Sequence, residues 1–334
     1  MAASAQQLAA LVQEQQATEA AALEEQTVQE ADGGSGAALA ALVTAALAGW
    51  VTTFGALTAA GAGVALARYL TGVRRDVGLA AAGLETRAPA AVERRLEEAA
   101  ALGARHAVTF AMRAGGGRLR APEAAVSQDA LDAVRGLGGA VREQLRLAAR
   151  LLTPREVQRS GWRGVLTGIA AARRAVVLVG QTGAWAIHRA INSGSAQATT
   201  ALGARGLWIA EPTACVRCAA YSGHLTDRNG HFPGGLSLDP HQRAPHTAAI
   251  DGPPIHPYDR CRIVPWRDEW MPRRGPGLPD LLREQAWRAA AAGAGRPSES
   301  RTARLRAARY ASTQPGVPAS VRRQAQAAVA AGHF

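Results

Sequence analysis

The sequence predicts a mainly α-helical protein with a small α+β module, containing cysteines and histidines, in its C-terminal third. Three observations predict it. Hydrophobic residues make up 48% of the 334-residue chain but aromatic residues only 4%, so the core must be aliphatic, built from Ala, Leu and Val. Long stretches of Ala, Gln, Glu and Leu run with few breakers, and these are strong helix formers. After Gly206 the texture changes, and residues 211–265 are rich in Pro, Gly and His and hold all three cysteines. The composition excludes a wholly disordered chain, which is poor in apolar residues. It also excludes a disulfide scaffold, because three cysteines cannot staple a chain of this length. No stretch has the basic, apolar and small-residue segments of a signal peptide, so the chain is expected to start life in a reducing cytoplasm.

The elements follow in order. Residues 4–31 read as a helix free of Gly and Pro, ended by Asp32-Gly33-Gly34-Ser35-Gly36, and residues 1–36 form an acidic first segment. Residues 33–67 carry no charge, a length beyond the roughly 20 residues that span a bilayer. They are mostly Ala, Gly and Thr, which transfer weakly into lipid, so a buried or oligomer-packed helix is expected. A holin-like, membrane-passage role for residues 37–67 is the alternative. Residues 37–152 read as an Ala-rich helical region. Pro89 suits a first helical turn, Gly115-Gly116-Gly117 breaks the helix that follows, and a second run over 123–152 is interrupted at Gly136, Gly138 and Gly139. Thr153-Pro154-Arg155-Glu156 reads as a capping box with proline at the first helical position, opening a module over residues 153–270. One or two helices reach about Leu202, and Leu207-Trp208-Ile209 reads as a short strand. Residues 211–265 form a knot held by something other than a large core. Residues 271–334 form a basic C-terminal tail, with a linker over 272–279 and a short helix over 281–292.

All 38 basic residues are Arg, so part of the net charge of +12 reflects codon usage. Its distribution says more. Residues 1–67 hold Glu14, Glu19, Glu24, Glu25, Glu30 and Asp32 and no Arg, whereas residues 271–334 hold eleven Arg against three acids. An acidic head and a basic tail imply different partners for the two ends. Arg301, Arg304, Arg306, Arg309, Arg322 and Arg323 are spaced to coat helices with positive charge, and could neutralise the phosphates of double-stranded DNA without reading sequence. A solvated basic face, or contact with an acidic protein surface, accounts for them equally. Tyr310 is nearly alone among them, so stacking on single strands has no support.

Cys215-Val216-Arg217-Cys218 places two sulfurs on one tight turn, where both can grip a tetrahedral ion at about 2.3 Å. Cys261 could supply a third ligand, and His256, or Asp259 as an oxygen ligand, the fourth. A closed Cys3His set would be a structural zinc site and would help so loop-rich a segment to fold. Two alternatives stand beside it: three buried free thiols, and a Cys215–Cys218 redox pair, which lacks a surrounding βαβ pattern. Catalytic zinc is disfavoured, because no Glu stands in an H-E-x-x-H or H-x-E arrangement.

The order Trp208, Cys215-x-x-Cys218, Gly223, Pro253-Pro254-Ile255-His256-Pro257, Arg260-Cys261-Arg262 and Pro265 resembles the phage Mu F-like head morphogenesis family. The resemblance covers about residues 153–266, including a lead-in helix over 173–195 with Gly180-Gln181-Thr182 and Asn192 at positions where the family tends to carry polar residues. The family's H-P-x-C-R-C stands here as His256-Pro257-Tyr258-Asp259-Arg260-Cys261, so Asp259 replaces the first of its paired cysteines. Residues 228–249 are a long insert between the two halves of the motif. The resemblance implies a minor capsid protein, a non-catalytic assembly factor that associates with portal, major capsid and scaffold proteins. It would be made in the host cytoplasm and lie in the capsid interior near the DNA, with no small-molecule substrate. No G-x-S-x-G element accompanies it, and Ser160, Ser193 and Ser195 read as ordinary polar residues. The rival reading is a zinc-containing nucleic-acid enzyme or toxin effector of nuclease type, with His224, His231 and His246 as general-base or metal residues.

Overall fold

A computed structural model of the chain describes residues 3–57, 63–115, 117, 119–244, 247–270, 276–296, 299–332 and 334. The fold class is the one the sequence predicts, a mainly helical protein with one two-stranded antiparallel sheet among the described residues. Ser4 opens α1 (Ala5–Ala10) through a reciprocal capping box with Gln7, and a π-helical stretch, Leu11–Gln16, leads into α2 (Ala17–Asp32). Gly33 and Gly34, at φ 54 and 83, turn the chain, and α3 (Ser35–Phe54) begins at once. Next come α4 (Gly63–Ala80), α5 (Leu84–Ala114), α6 (Gln128–Leu151), α7 (Pro154–Ser160) and α8 (Trp162–Ala201). The C-terminal part runs β1 (Arg205–Ile209), α9 (Val216–Tyr221), β2 (Arg262–Trp266), α10 (Leu278–Ala291), α11 (Arg301–Thr313) and α12 (Ala319–Ala331).

The helices are assembled into two compact units, each from segments remote in sequence. One comprises Leu23–Leu96 and Gln128–Ile187. Its core joins Leu39, Leu42 and Trp50 of α3 to Leu66 and Leu70 of α4, and to Val165 and Ile169 of α8. The uncharged α3 buries one stripe, Ser35, Leu39, Leu42, Ala46 and Trp50, at helical spacing. Its other face is Ala and Thr and stays exposed, so only 17% of its most apolar window is buried, less than the buried helix the composition suggests. By length and composition alone, α3 and α8 are long and apolar enough to cross a membrane.

Two helix boundaries in this unit differ from expectation for physical reasons. Pro89 lies inside α5, not in its first turn. Proline lacks the N–H that would bond the carbonyl four residues back, and α6 presents Gly138 to that carbonyl: a Cβ there would lie 2.6 Å from the Glu85 oxygen. That close approach accounts for Gly138, and α6 also runs on through Gly136 and Gly139, where a Cβ would meet nothing within 4 Å. Thr153 precedes α7 with Pro154 in the first turn, but its hydroxyl caps nothing, so the capping box is not formed.

The other unit comprises Met1–Ala22, Glu97–Ser127 and His188–Phe334. Its parts of α5 and α8 cross with backbones in contact. A Cβ on Gly103 would lie 1.8 Å from the Ile191 carbonyl oxygen, and one on Gly194 would lie 1.9 Å from that of Ala100. In the sheet, Leu207 stands opposite Val264 and Trp208 opposite Ile263. The free edge of β1 is covered by residues 223–226, through Trp208 N–H to the His224 carbonyl and Gly223 N–H to the Trp208 carbonyl, both 2.9 Å. One core joins Leu8 and Val12 to Phe110, Leu207, Val264 and Trp266. Residues 301–331, read from sequence as part of a basic tail, form α11 and α12, which share an apolar core of Ala291, Ala311, Val317, Val321 and Ala325 with the end of α10.

Candidate metal centre

The centre grows from both ends of the sheet. Leaving β1, the chain reaches Cys215, which is extended (φ −66, ψ 164) and caps α9 with its own sulfur, accepting from Cys218 N–H at 3.5 Å. A helix N-terminus carries positive partial charge, so a sulfur placed there is stabilised as thiolate. Entering β2, His256 and Pro257 open a turn closed by Asp259 N–H to the His256 carbonyl at 3.2 Å, with Tyr258 left-handed at φ 60. That turn aims His256 Nε2 at both sulfurs, 3.2 Å from Cys215 Sγ and 3.1 Å from Cys218 Sγ. The other ring nitrogen, Nδ1, lies 2.9 Å from the Pro257 carbonyl oxygen. A carbonyl can only accept, so Nδ1 carries a proton toward it, which leaves Nε2 as the nitrogen a metal ion would take, the arrangement metal-binding histidines use.

The Cys215/Cys218/His256 group could hold a metal ion. Around a tetrahedral ion, with metal–sulfur at about 2.3 Å and metal–nitrogen at about 2.0 Å, sulfur and nitrogen lie about 3.5 Å apart. The observed separations need to open by only a few tenths of an ångström. Cys261 falls in a second group with Cys218 and Asp259, and Cys218 belongs to both. Asp259 is fully buried, and its carboxylate accepts from Ile255 N–H at 2.8 Å and Cys261 N–H at 3.0 Å. This position therefore braces the loop between His256 and Cys261, whether or not an oxygen also meets a metal.

The electrostatics divide the three thiols, favouring the thiolate at Cys215 and the neutral form at Cys218 and Cys261. Hydrogen bonding from Cys218 lowers the Cys215 thiol to about 4 against the opposing pull of burial, and His256 adds to the lowering. Cys218 moves well above the usual thiol range, because its hydrogen bonds to Cys215 and Cys261 favour the neutral form and burial adds to them. Burial pushes Cys261 up to about 11. Burial pulls His256 down, but its bonds to Cys215 and the Pro257 carbonyl prevail and leave it raised. A bound cation reverses this logic and holds its coordinating thiols deprotonated.

Sequence reasoning missed the residues that hold these ligands. Asn192 of α8 acts as a substitute strand along the outer edge of β2. Its Nδ2 donates to the Cys261 carbonyl at 3.0 Å, and its Oδ1 accepts from Ile263 N–H at 2.9 Å. One turn on, Ser195 Oγ donates to the Ile263 carbonyl at 2.5 Å. Trp208 stacks on Tyr221 at 4.6 Å and meets Phe232 edge-on at 5.2 Å, walling the knot. The polar positions on the lead-in helix were the available signal for Asn192, but its partners lie about seventy residues away.

The remaining sequence-predicted residues lie elsewhere. Half-buried His224 follows α9, and His231 pairs with Asp251 at 2.9 Å. His246 lies outside the described residues. Among the described residues, the metal-capable groups include neither His224 nor His231. Of the six arginines assigned to DNA, Arg306 grips buried Asp239 with two nitrogens, the shortest contact 2.6 Å. Arg304 donates to the Arg296 carbonyl at 2.6 Å, Arg301 to that of Gly332 at 3.0 Å, and Arg322 reaches that of Gln314 at 3.5 Å. Arg309 and Arg323 are exposed. Comparison with protein-family models, curated proteins and solved structures finds no match to this chain.

Proposed function

We propose that the chain is a minor capsid protein of the phage Mu F-like type, a non-catalytic factor in head assembly that associates with portal, scaffold and major capsid proteins inside the particle. The observation that supports this is that Trp208, Cys215, Cys218, Gly223, His256, Cys261 and Pro265 of the ordered motif help build one knot. Trp208 walls it, Cys215 and Cys218 face His256, and Cys261 stands behind Cys218. Gly223 turns at φ 77 where a Cβ would lie 2.2 Å from the Pro279 carbonyl, and Pro265 stands opposite Gly206 in the sheet. A motif spent on folding a small module suits an assembly role. Nonspecific contact with packaged double-stranded DNA falls to the exposed Arg309 and Arg323. The ion we assign to the knot is structural zinc, which two thiolates and an imidazole suit.

Quantitative mass spectrometry of procapsids and DNA-filled heads tests the role. Peptides from this chain at low copy in both particles are expected; absence from both refutes the capsid assignment and leaves the nucleic-acid enzyme as the reading to pursue. Metal analysis of the purified protein should find zinc, lost in the Cys215→Ser, Cys218→Ser double variant.

A further inference from the structure

The C-terminal segment that follows α10 reaches back over the knot. Arg296 donates from Nη1 to the Pro257 carbonyl at 3.1 Å, the same oxygen that accepts from His256 Nδ1. Its Nη2 is anchored on Glu211 at 2.5 Å, and both side chains of that pair are mostly buried. The guanidinium thus ties the residue after His256 to the loop that leads from β1 to Cys215. Glu299 takes the other side. Its Oε1 accepts from Val216 N–H at 2.9 Å, the first residue of α9 between the two cysteines. Arg304 of α11 then gathers this segment, donating to the carbonyls of Arg296 and Glu299 at 2.6 and 3.3 Å. The chain end closes over the same loop, for a Cβ on Gly293 would lie 2.0 Å from the Phe334 ring. Each ligand-bearing turn is therefore held in place by a side chain from the C-terminal segment.

We propose that Arg296 and Glu299 are the outer-shell positioning residues of the metal centre, so that metal binding and docking of α11 and α12 stabilise each other. The inference rests on the metal reading above. Linkage makes it reciprocal: if the docked segment raises affinity for the ion, the ion raises the stability of docking by the same factor. Outer-shell partners of ligating histidines are typically worth about 10- to 100-fold in metal affinity.

The test uses the full chain, with Zn2+ affinity measured by chelator competition and the ligand field read from the absorption of the Co2+-loaded protein. Arg296→Ala and Glu299→Ala should each weaken Zn2+ binding about 10- to 100-fold, with the cobalt bands of thiolate and imidazole ligation kept but shifted. Arg296→Lys, which retains a cation and donors, should lie between Arg296→Ala and the parent. In the reverse arm, Zn2+ should slow proteolytic cleavage after residue 293 in the parent and have no such effect in the Cys215→Ser, Cys218→Ser protein. A parent that binds zinc, with Arg296→Ala and Glu299→Ala of affinity equal to it and cleavage indifferent to zinc, overturns this inference and leaves the metal reading standing. A parent that takes up neither ion overturns both.

Discussion

Arg306 shows how one residue changes meaning between sequence and structure. As a letter it belongs to a basic run; in the fold its guanidinium neutralises Asp239, whose side chain has no solvent exposure. Burial pushes the Asp239 carboxyl up, but Arg306 and the His241 N–H prevail and hold it below the usual range. A depressed folded pKa contributes stability above the unfolded value of about 4 and loses it as pH falls through the folded value. Arg306→Ala leaves a buried carboxylate without its cation and should destabilise the fold at pH 7, with the loss shrinking as acid protonates Asp239; urea unfolding at pH 7 and in acid measures it. An Arg306→Ala protein as stable as the parent would return this residue to the role of surface charge. Asn192 is the opposite case, a polar residue on a helix whose purpose is set by β2. The pairing of Cys215 with Cys218 was legible because both lie on one turn. The bracing of Cys261 by Asn192 was not, since a side chain that substitutes for a strand leaves no local pattern.

At the scale of elements, periodicity locates the helices well and their interruptions poorly. Glycine reads as a breaker at Gly136, Gly138 and Gly139, yet α6 runs through all three. The reason differs by position: Gly138 faces the Glu85 carbonyl at a distance no side chain tolerates, whereas a Cβ at Gly136 meets nothing within 4 Å. The same substitution should therefore have opposite signs. Gly136→Ala should stabilise by about 0.5–1 kcal/mol through helix propensity, while Gly138→Ala should destabilise by about 1–3 kcal/mol through forced separation of α5 and α6. Thermal melts of the two variants decide it, and equal shifts would mean that the helices do not approach so closely. Gly103 and Gly194 serve the crossing of α5 with α8 in the same way. Sequence shows that glycine is present; only the partner helix shows which glycine is indispensable.

For the whole molecule, the unit with the candidate metal centre gathers residues 1–22, the second half of α5 and everything after residue 187. Leu8 and Val12 are nearly fully buried against Leu207, Val264 and Trp266, so the acidic N-terminal helix completes the core beneath the sheet. Deleting residues 1–22 should expose that core, lower the melting temperature by several degrees and raise binding of a hydrophobic dye; an unchanged melt would detach this helix from the unit. The sequence by itself determined the helical class, the short strand at Leu207 to Ile209 and the pairing of Cys215 with Cys218 on one turn, because those follow from propensity, local turns and residue chemistry; it offered His256, Cys261 and Asp259 as one ligand set, and the fold divides them between two groups that share Cys218. Tertiary structure alone decided which arginines are buried partners, which glycines are contacts, and that β2 is edged by the side chains of α8. Those depend on groups separated by tens to hundreds of residues, whose meeting is fixed by packing and by the satisfaction of buried polar groups.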